Sequence, residues 1–312
     1  MSAPSSAAPS PDAPSSAGPA APVNFRQGLS LLDLAPGLGP LADLAGTWIG
    51  NGFSLIELPD FDRRPPSTGP KPFRLKLNST VEILEFTPIG AAVPNRGSTL
   101  INDPNAGQPD IDIFGLRYLQ RIADVVTDQP LHIEPGFWLN VPATQFPLAP
   151  AGVVRQATIP HGNSVLAQGT SQTVLTGPQI AVADSTPTRN PNVPPPLSAA
   201  YLSPFVNPPL PPGIKLPFVK DPNLFLKQSI AGQRIIKTVV LTISTAPAGG
   251  ILNIPFDIAN ANATRLDAVF FIETVLQPDG STFLQLQYTQ TIVLNFLAID
   301  WPHILVATLV KQ

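Results

Sequence analysis

Residues 266 to 297 read LDAVFFIETVLQPDGSTFLQLQYTQTIVLNFL and leave a chain few ways to fold. Two runs rich in Val, Ile, Thr, Phe and Tyr flank Pro278-Asp279-Gly280. That tripeptide favours a tight turn, and β-branched and aromatic runs on either side of a turn read as two antiparallel strands. The same grammar recurs along the chain. In FRLKLNSTVEILEFTPI, Phe73, Leu75 and Leu77 alternate with Arg74, Lys76 and Asn78, the period of a strand. DIDIFGLRYLQRIADVVT, PLHIEPGFWLNVPAT, VVRQATIPHGNSVLAQGTSQTV, QRIIKTVVLTIST and WPHILVATLV are further strand segments. Helical periodicity is almost absent. The expectation is all-β, an antiparallel barrel or sandwich, and a closed barrel has the advantage of leaving no free strand edge.

Where the first strand begins, AGTWIGNGFSLI sets a large Trp48 among Gly46, Gly50 and Gly52. A tryptophan flanked by small residues suits the end of a barrel, with glycines letting the strand bend and backbones approach closely. Trp48 is expected to lie across one end in a structural role. Just before it, NFRQGLSLLDLAPGLGPLADLAG is expected to hold one or two helical turns, interrupted by Pro36 and Pro40, that plug that end.

Residues 1 to 23 are almost wholly Ala, Ser and Pro, a composition that buries too little apolar surface to offset the entropy of ordering, so this segment reads as a disordered tail. Residues 24 to 312 read as one barrel domain. Within it, residues 187 to 222 are dense in proline yet carry Tyr201, Phe205, Leu210 and Phe218. The aromatics suit an extended loop pinned onto the barrel, covering its mouth; a flexible insertion is the other reading. The prolines are expected to exclude regular helix and central strand there.

Composition excludes several classes of function. Only 12% of residues are charged, against about a quarter in average proteins, and 43% are hydrophobic. The net charge is −3, and no basic stripe offers itself to nucleic acid. With no cysteine there are no disulfides, thiolate metal sites or cysteine nucleophiles. No apolar run reaches the ~20 residues of a membrane-spanning helix, and no basic-then-apolar leader opens the chain. A soluble, cytoplasmic protein is the expectation. There is no Gly-x-Ser-x-Gly elbow, P-loop or His-Glu-x-x-His motif, and GNGF is followed by no helix.

The three histidines are the first places to look for chemistry. Alternation puts His132, Glu134, Gly136 and Trp138 on one strand face. Facing inward, His132 and Glu134 form an acid–base pair or an oriented ligand; facing outward, they form a solvated pair. His161 stands between Pro160 and Gly162 on a turn, where it meets either a ligand or water. His303 opens the last strand on the face of Trp301, Leu305 and Ala307, which suits a buried imidazole: a metal or haem-iron ligand, or a core histidine bonded to backbone. Arg96 and Arg117 stand in turn or apolar surroundings, each able to neutralise a carboxylate or propionate, the plainer reading being an arginine paired with an aspartate. Asp110 and Asp112 lack the turn glycine of a calcium loop.

Taken together, LAGTWIGNGF, FTPIGAAVPNRG, DIDIFGLRYLQRI, LHIEPGFWLNVPAT, IPHGNSVLAQG, VFFIETV, LQYTQTIVLNF and WPHILVATL resemble a family of bacterial and fungal proteins usually called haem-binding proteins, from about Leu41 to Leu309. The opening Gly-Thr-Trp is also similar to the start of the calycin barrels, which include lipocalins, fatty-acid-binding proteins and nitrobindins. The resemblance implies a calycin-like barrel and haem as cofactor. In nitrobindin-like barrels a histidine from the C-terminal part binds the iron, and His303 is the histidine of that region here. The long proline-rich insertion departs from a compact nitrobindin barrel.

The expected function is therefore binding of an apolar or planar small ligand in the barrel, haem the leading candidate, with His303, His161, His132 and Arg117 as cofactor-binding residues and His303 as the iron ligand. An enzyme using the same cavity is the rival: a haem-dependent peroxidase or isomerase, or a cofactor-free acid–base catalyst using His132 and Glu134. A structural or interaction module docking through the proline-rich segment is the third reading.

Overall fold

A computed structural model describes residues 29–60, 73–100, 102–191, 196–246 and 248–312. The expected tail over residues 1 to 23 lies outside the described residues. Ten antiparallel strands form a closed barrel. They are β1 Gly46–Pro59, β2 Phe73–Pro88, β3 Ile111–Asp124, β4 Pro130–Val141 and β5 Gly152–Ile159. Then follow β6 Asn163–Val174, β7 Arg234–Ser244, β8 Asn262–Leu276, β9 Thr282–Phe296 and β10 Ile299–Lys311. Each strand pairs with the next in sequence, and β10 closes on β1 with Trp48 opposite Lys311 and Leu55 opposite Ile304. The all-β expectation is met, with the barrel rather than the sandwich realised.

The turns explain the topology. β8 and β9 meet at the Pro278-Asp279-Gly280 turn, where Gly280 takes a φ of +87° and the Asp279 carboxylate accepts from the Ser281 backbone N–H. β9 turns into β10 through Leu297 and Ala298, both at positive φ (57° and 53°). That backbone matches a two-residue hairpin turn whose twist suits the flanking strands, but it is normally built from Asn and Gly, so the sequence gives no warning of it.

One end of the barrel is plugged. Helix α1, Leu31–Leu38, begins at the Ser30 cap and passes through Pro36; a 3₁₀ turn, Gly39–Leu44, leads into β1. Leu34, Leu38, Leu41 and Leu44 pack into the core with Trp48, Phe86, Leu116 and Trp138. Trp48 is completely buried and its indole N–H donates to the Leu44 carbonyl at 2.7 Å. The bend glycines have a steric reason: a Cβ on Gly50 would lie 2.1 Å from the Thr308 carbonyl oxygen of β10.

The proline-rich segment lies against the side wall, not across the mouth. It includes the short helices α2 Ala199–Leu202 and α3 Leu216–Lys220, followed by α4 Asn223–Ser229. Phe205, Ile214, Phe218, Val219 and Leu226 bury Phe53, Leu55, Ile304 and Val306 on the outside of β1 and β10. Two expectations are corrected here. The aromatics pin the segment to the barrel's flank, and helix does form: Pro217 stands in the first turn of α3, where its missing N–H has no partner to lose. The cover also changes the meaning of the β2 alternation. Phe73, Leu75 and Leu77 pack outward against this second core, so it is Lys76 and Asn78 that face the barrel interior.

Candidate functional site

At the end opposite the plug the barrel encloses a cavity of about 370 Å³. Its position follows from side-chain parity. Each strand sends alternate residues inward, and near this end those residues are medium-sized aliphatics: Ile56, Ile122, Ile159, Ile292 and Leu305. At the plugged end the same inward rows carry Trp48, Trp138 and Phe270, which fill the space.

All three histidines line this cavity. The inward reading of His132 and Glu134 holds: Glu134 is 1% exposed and Trp138 shares its face. His161, at the β5–β6 turn, brings its ring to 6.2 Å from that of His132, centroid to centroid. His303 stands on β10. Counted through β1, β2 and β3, β10 lies four strands from β4 in the ten-strand closed barrel, so His303 faces His132 from nearly the opposite wall. Its ring is part-buried and reached from the cavity, and its nitrogens have no hydrogen-bond partner among the described residues. Burial, with the neighbouring His132 and His161 adding to it, pushes the His303 pKa down to about 3. The imidazole is neutral at physiological pH and keeps a free lone pair.

Arg117 is not part of the cavity. It is exposed on the outer face of β3, one residue from the inward-facing Leu116 and Tyr118. This corrects its expected role. Arg96 also lies on the surface, paired with Asp110 at 2.5 Å. Among the described residues the buried arginine is Arg155 of β5, a residue that sequence reading passed over. Its place in VVRQAT, inward by alternation with Val153 and Ala157, is the signal that would have found it.

Arg155 organises a polar layer beneath the cavity. Its guanidinium pairs with Glu134, donates from Nε to the Tyr118 hydroxyl at 2.9 Å, and donates from Nη1 to Gln290, itself a cavity-lining residue. The Tyr118 hydroxyl also donates to Glu134. Gly136 makes room for this: a Cβ there would lie 2.6 Å from the Tyr118 ring. Burial alone would raise the Glu134 pKa, but the Arg155 charge and the hydrogen bonds from His132 and Tyr118 override it and hold the carboxyl at about 2. Nearby Glu82 is not ion-paired, and the charges of His132 and Arg155 lower its pKa less than its own hydrogen bonds do. Burial pushes it up to about 7, partly offset by hydrogen bonds from Tyr288 at 2.6 Å and Gln120 at 2.8 Å. Two interior carboxyls are thus driven apart: Glu134 is ionised at neutral pH, while Glu82 holds its proton to a higher pH.

At the rim, Lys76 is exposed and lines the opening together with Asp257 of α5, Pro255–Asn260. Asn163 donates to Asp257 at 3.3 Å. Among the described residues there is no group of three or more His, Asp or Glu side chains that could hold a bare metal ion, so the three histidines do not converge on one point. No described helix is long and apolar enough to cross a membrane.

No family model matches the sequence, and a search of curated proteins finds no relative. Among solved structures, the chain is similar to the crystal structure of Rv2717c from M. tuberculosis, with 18% identity and a TM-score of 0.43 over 90% of this chain and 99% of that one.

Proposed function

We propose that this barrel binds an apolar or planar small molecule in its cavity, with haem the leading candidate and His303 the ligand to its iron. One observation carries the reading: a part-buried imidazole, kept neutral and with no internal partner, that faces a cavity of about 370 Å³ with mostly aliphatic walls. That volume lies within the ordinary range for small-molecule sites. The donor set fits haem. An unprotonated histidine nitrogen is the common protein ligand to its iron, the walls are mostly aliphatic, and Lys76 at the rim carries charge opposite to a propionate. Bound haem would supply a redox-active iron. The chain's own residues would supply the rest: Ile56, Ile292 and Leu305 exclude water from the ring faces, and His303 fixes the depth at which a planar ligand sits.

Titration with haemin tests this reading. A Soret band shifted from that of free haemin, lost or displaced in His303→Ala and less changed in His132→Ala or His161→Ala, is the expected result. Arg117→Ala, on the outer face, should leave the titration unchanged. A His303→Ala spectrum identical to wild type removes His303 as ligand.

A second reading rests on the 3.1 Å hydrogen bond between His132 and Glu134 at the cavity wall. A histidine oriented by a carboxylate is the arrangement of a general base. Turnover of peroxide by the haem-loaded protein, or cofactor-free turnover lost in His132→Ala, would favour an enzyme over a carrier.

A further inference from the structure

We infer that His132 is the hydrogen-bond-accepting specificity residue of the cavity: its Nδ1 receives a hydrogen bond from a ligand N–H or O–H, and Glu134 behind it dictates which ring nitrogen is free to do so. This rests on the reading of the cavity as a ligand site, but not on haem as the ligand.

The argument starts from Glu134. One of its oxygens, Oε1, is occupied by Arg155 and Tyr118; the other, Oε2, lies 3.1 Å from His132 Nε2. An ionised carboxylate only accepts hydrogen bonds, and Arg155 keeps this one ionised. The proton of a neutral His132 must therefore sit on Nε2, where it donates to Oε2. Nδ1 is left as a lone-pair acceptor on a ring that lines the cavity, and no partner for it exists among the described residues. Gln290 is fixed in the complementary sense. Its carbonyl oxygen accepts from Arg155, so its amide NH₂ is the group left for a ligand. The buried ion pair thus orients two cavity groups at once, with an acceptor at His132 and a donor at Gln290. A ligand filling the space between them and His303 either pairs with Nδ1 or leaves it desolvated and unsatisfied, which disfavours ligands without a donor by about tenfold or more.

Indole and benzofuran test this, since they share a bicyclic shape and differ in presenting an N–H or a ring oxygen. Affinities would be measured by calorimetry on the full chain without added haem, at pH 8, above the ordinary imidazole range. The expected result is indole binding about tenfold tighter than benzofuran to the wild type. His132→Phe should bring the ratio to about one, and Arg117→Ala, on the outer face, should preserve it. His132→Phe leaves Glu134 paired with Arg155 and Tyr118, so the fold is retained. Long-range ¹H–¹⁵N spectra of the wild type give an independent readout: His132 should appear as the Nε2–H tautomer, and Glu134→Gln should convert it to a mixture. Equal affinities in the wild type, a preference surviving in His132→Phe, or an Nδ1–H tautomer would each overturn the role of His132. If this happens while haemin still gives its shifted Soret band, only the role of His132 falls. If haemin, indole and benzofuran all fail to bind, the cavity is not a ligand site and both readings fall together.

Discussion

Arg155 and Glu134 form an ion pair inside the barrel, with side chains 2% and 1% exposed. The pair spans the strand-to-strand contact between β5 and β4, where Arg155 lies opposite Trp138, four residues along β4 from Glu134. Its cation also sits 5.5 Å from the centroids of the Tyr118 and Phe270 rings. Both partners are held from several sides, so the site beneath the cavity is rigid before any ligand arrives.

Arg155→Ala should destabilise the fold by about 3–5 kcal/mol, because it strands the Glu134 charge in a dry interior rather than merely deleting a contact. Urea denaturation at pH 7 measures this. A loss below about 1 kcal/mol would mean that water reaches the layer and the pair is solvated.

Trp48→Ala should cost about 3–5 kcal/mol, the range for truncating a buried large aromatic. The indole fills the plugged end and donates to the Leu44 carbonyl, so its removal also loosens the 3₁₀ turn. Thermal unfolding with the His303 environment monitored by NMR should show lower stability with the distant cavity unchanged. Wild-type stability would mean that the plug does not need the indole.

Glu82 gives a pH dependence of definite sign. Its folded pKa of about 7 lies above its ordinary value of 4.5, so the folded state holds the proton more tightly than the unfolded chain. Stability contributed by the protonated form is present below about 4.5, and declines as pH rises to about 7. Glu82→Gln, permanently neutral, should therefore gain stability relative to wild type as pH increases across that window, with little difference at pH 4.5. Parallel wild-type and variant curves between pH 5 and 8 would show that Glu82 titrates normally.

His303 works in the opposite direction. Its folded pKa of about 3 lies below the ordinary 6.5, so the unfolded chain binds the proton more readily between those values. Stability is fully present above about 6.5 and is lost as pH falls toward 3. His303→Leu should abolish that component, so the variant gains on the wild type between pH 6.5 and 4. Urea midpoints at pH 7 and pH 4.5 suffice to check it. An unchanged difference between the two pH values would mean that the ring is solvated when protonated.

The sequence by itself determined the strand content, the hairpin at Pro278-Asp279-Gly280 and the shared face of His132, Glu134 and Trp138. These depend on nearest-neighbour rules: alternation, turn chemistry, and the φ and N–H restrictions of glycine and proline. What it did not determine was which side of each strand faces which core. The β2 alternation is real, but its apolar side is buried against Phe205 and Phe218 from more than a hundred residues away, and that leaves Lys76 and Asn78 to line the cavity. Arg117 and Arg155 look alike as isolated arginines in strand segments. One points outward and the other is buried; alternation groups Arg155 with Val153 and Ala157, but only the barrel's closure decides that this face is the interior. The same holds for the histidines. Strand alternation orients each ring relative to its own neighbours, but bringing His303 across from His132 required β10 to pair with β1. Long-range pairing decides such relations because the free energy that fixes them comes from burying surfaces distant in sequence, and no local pattern encodes which distant surface will arrive.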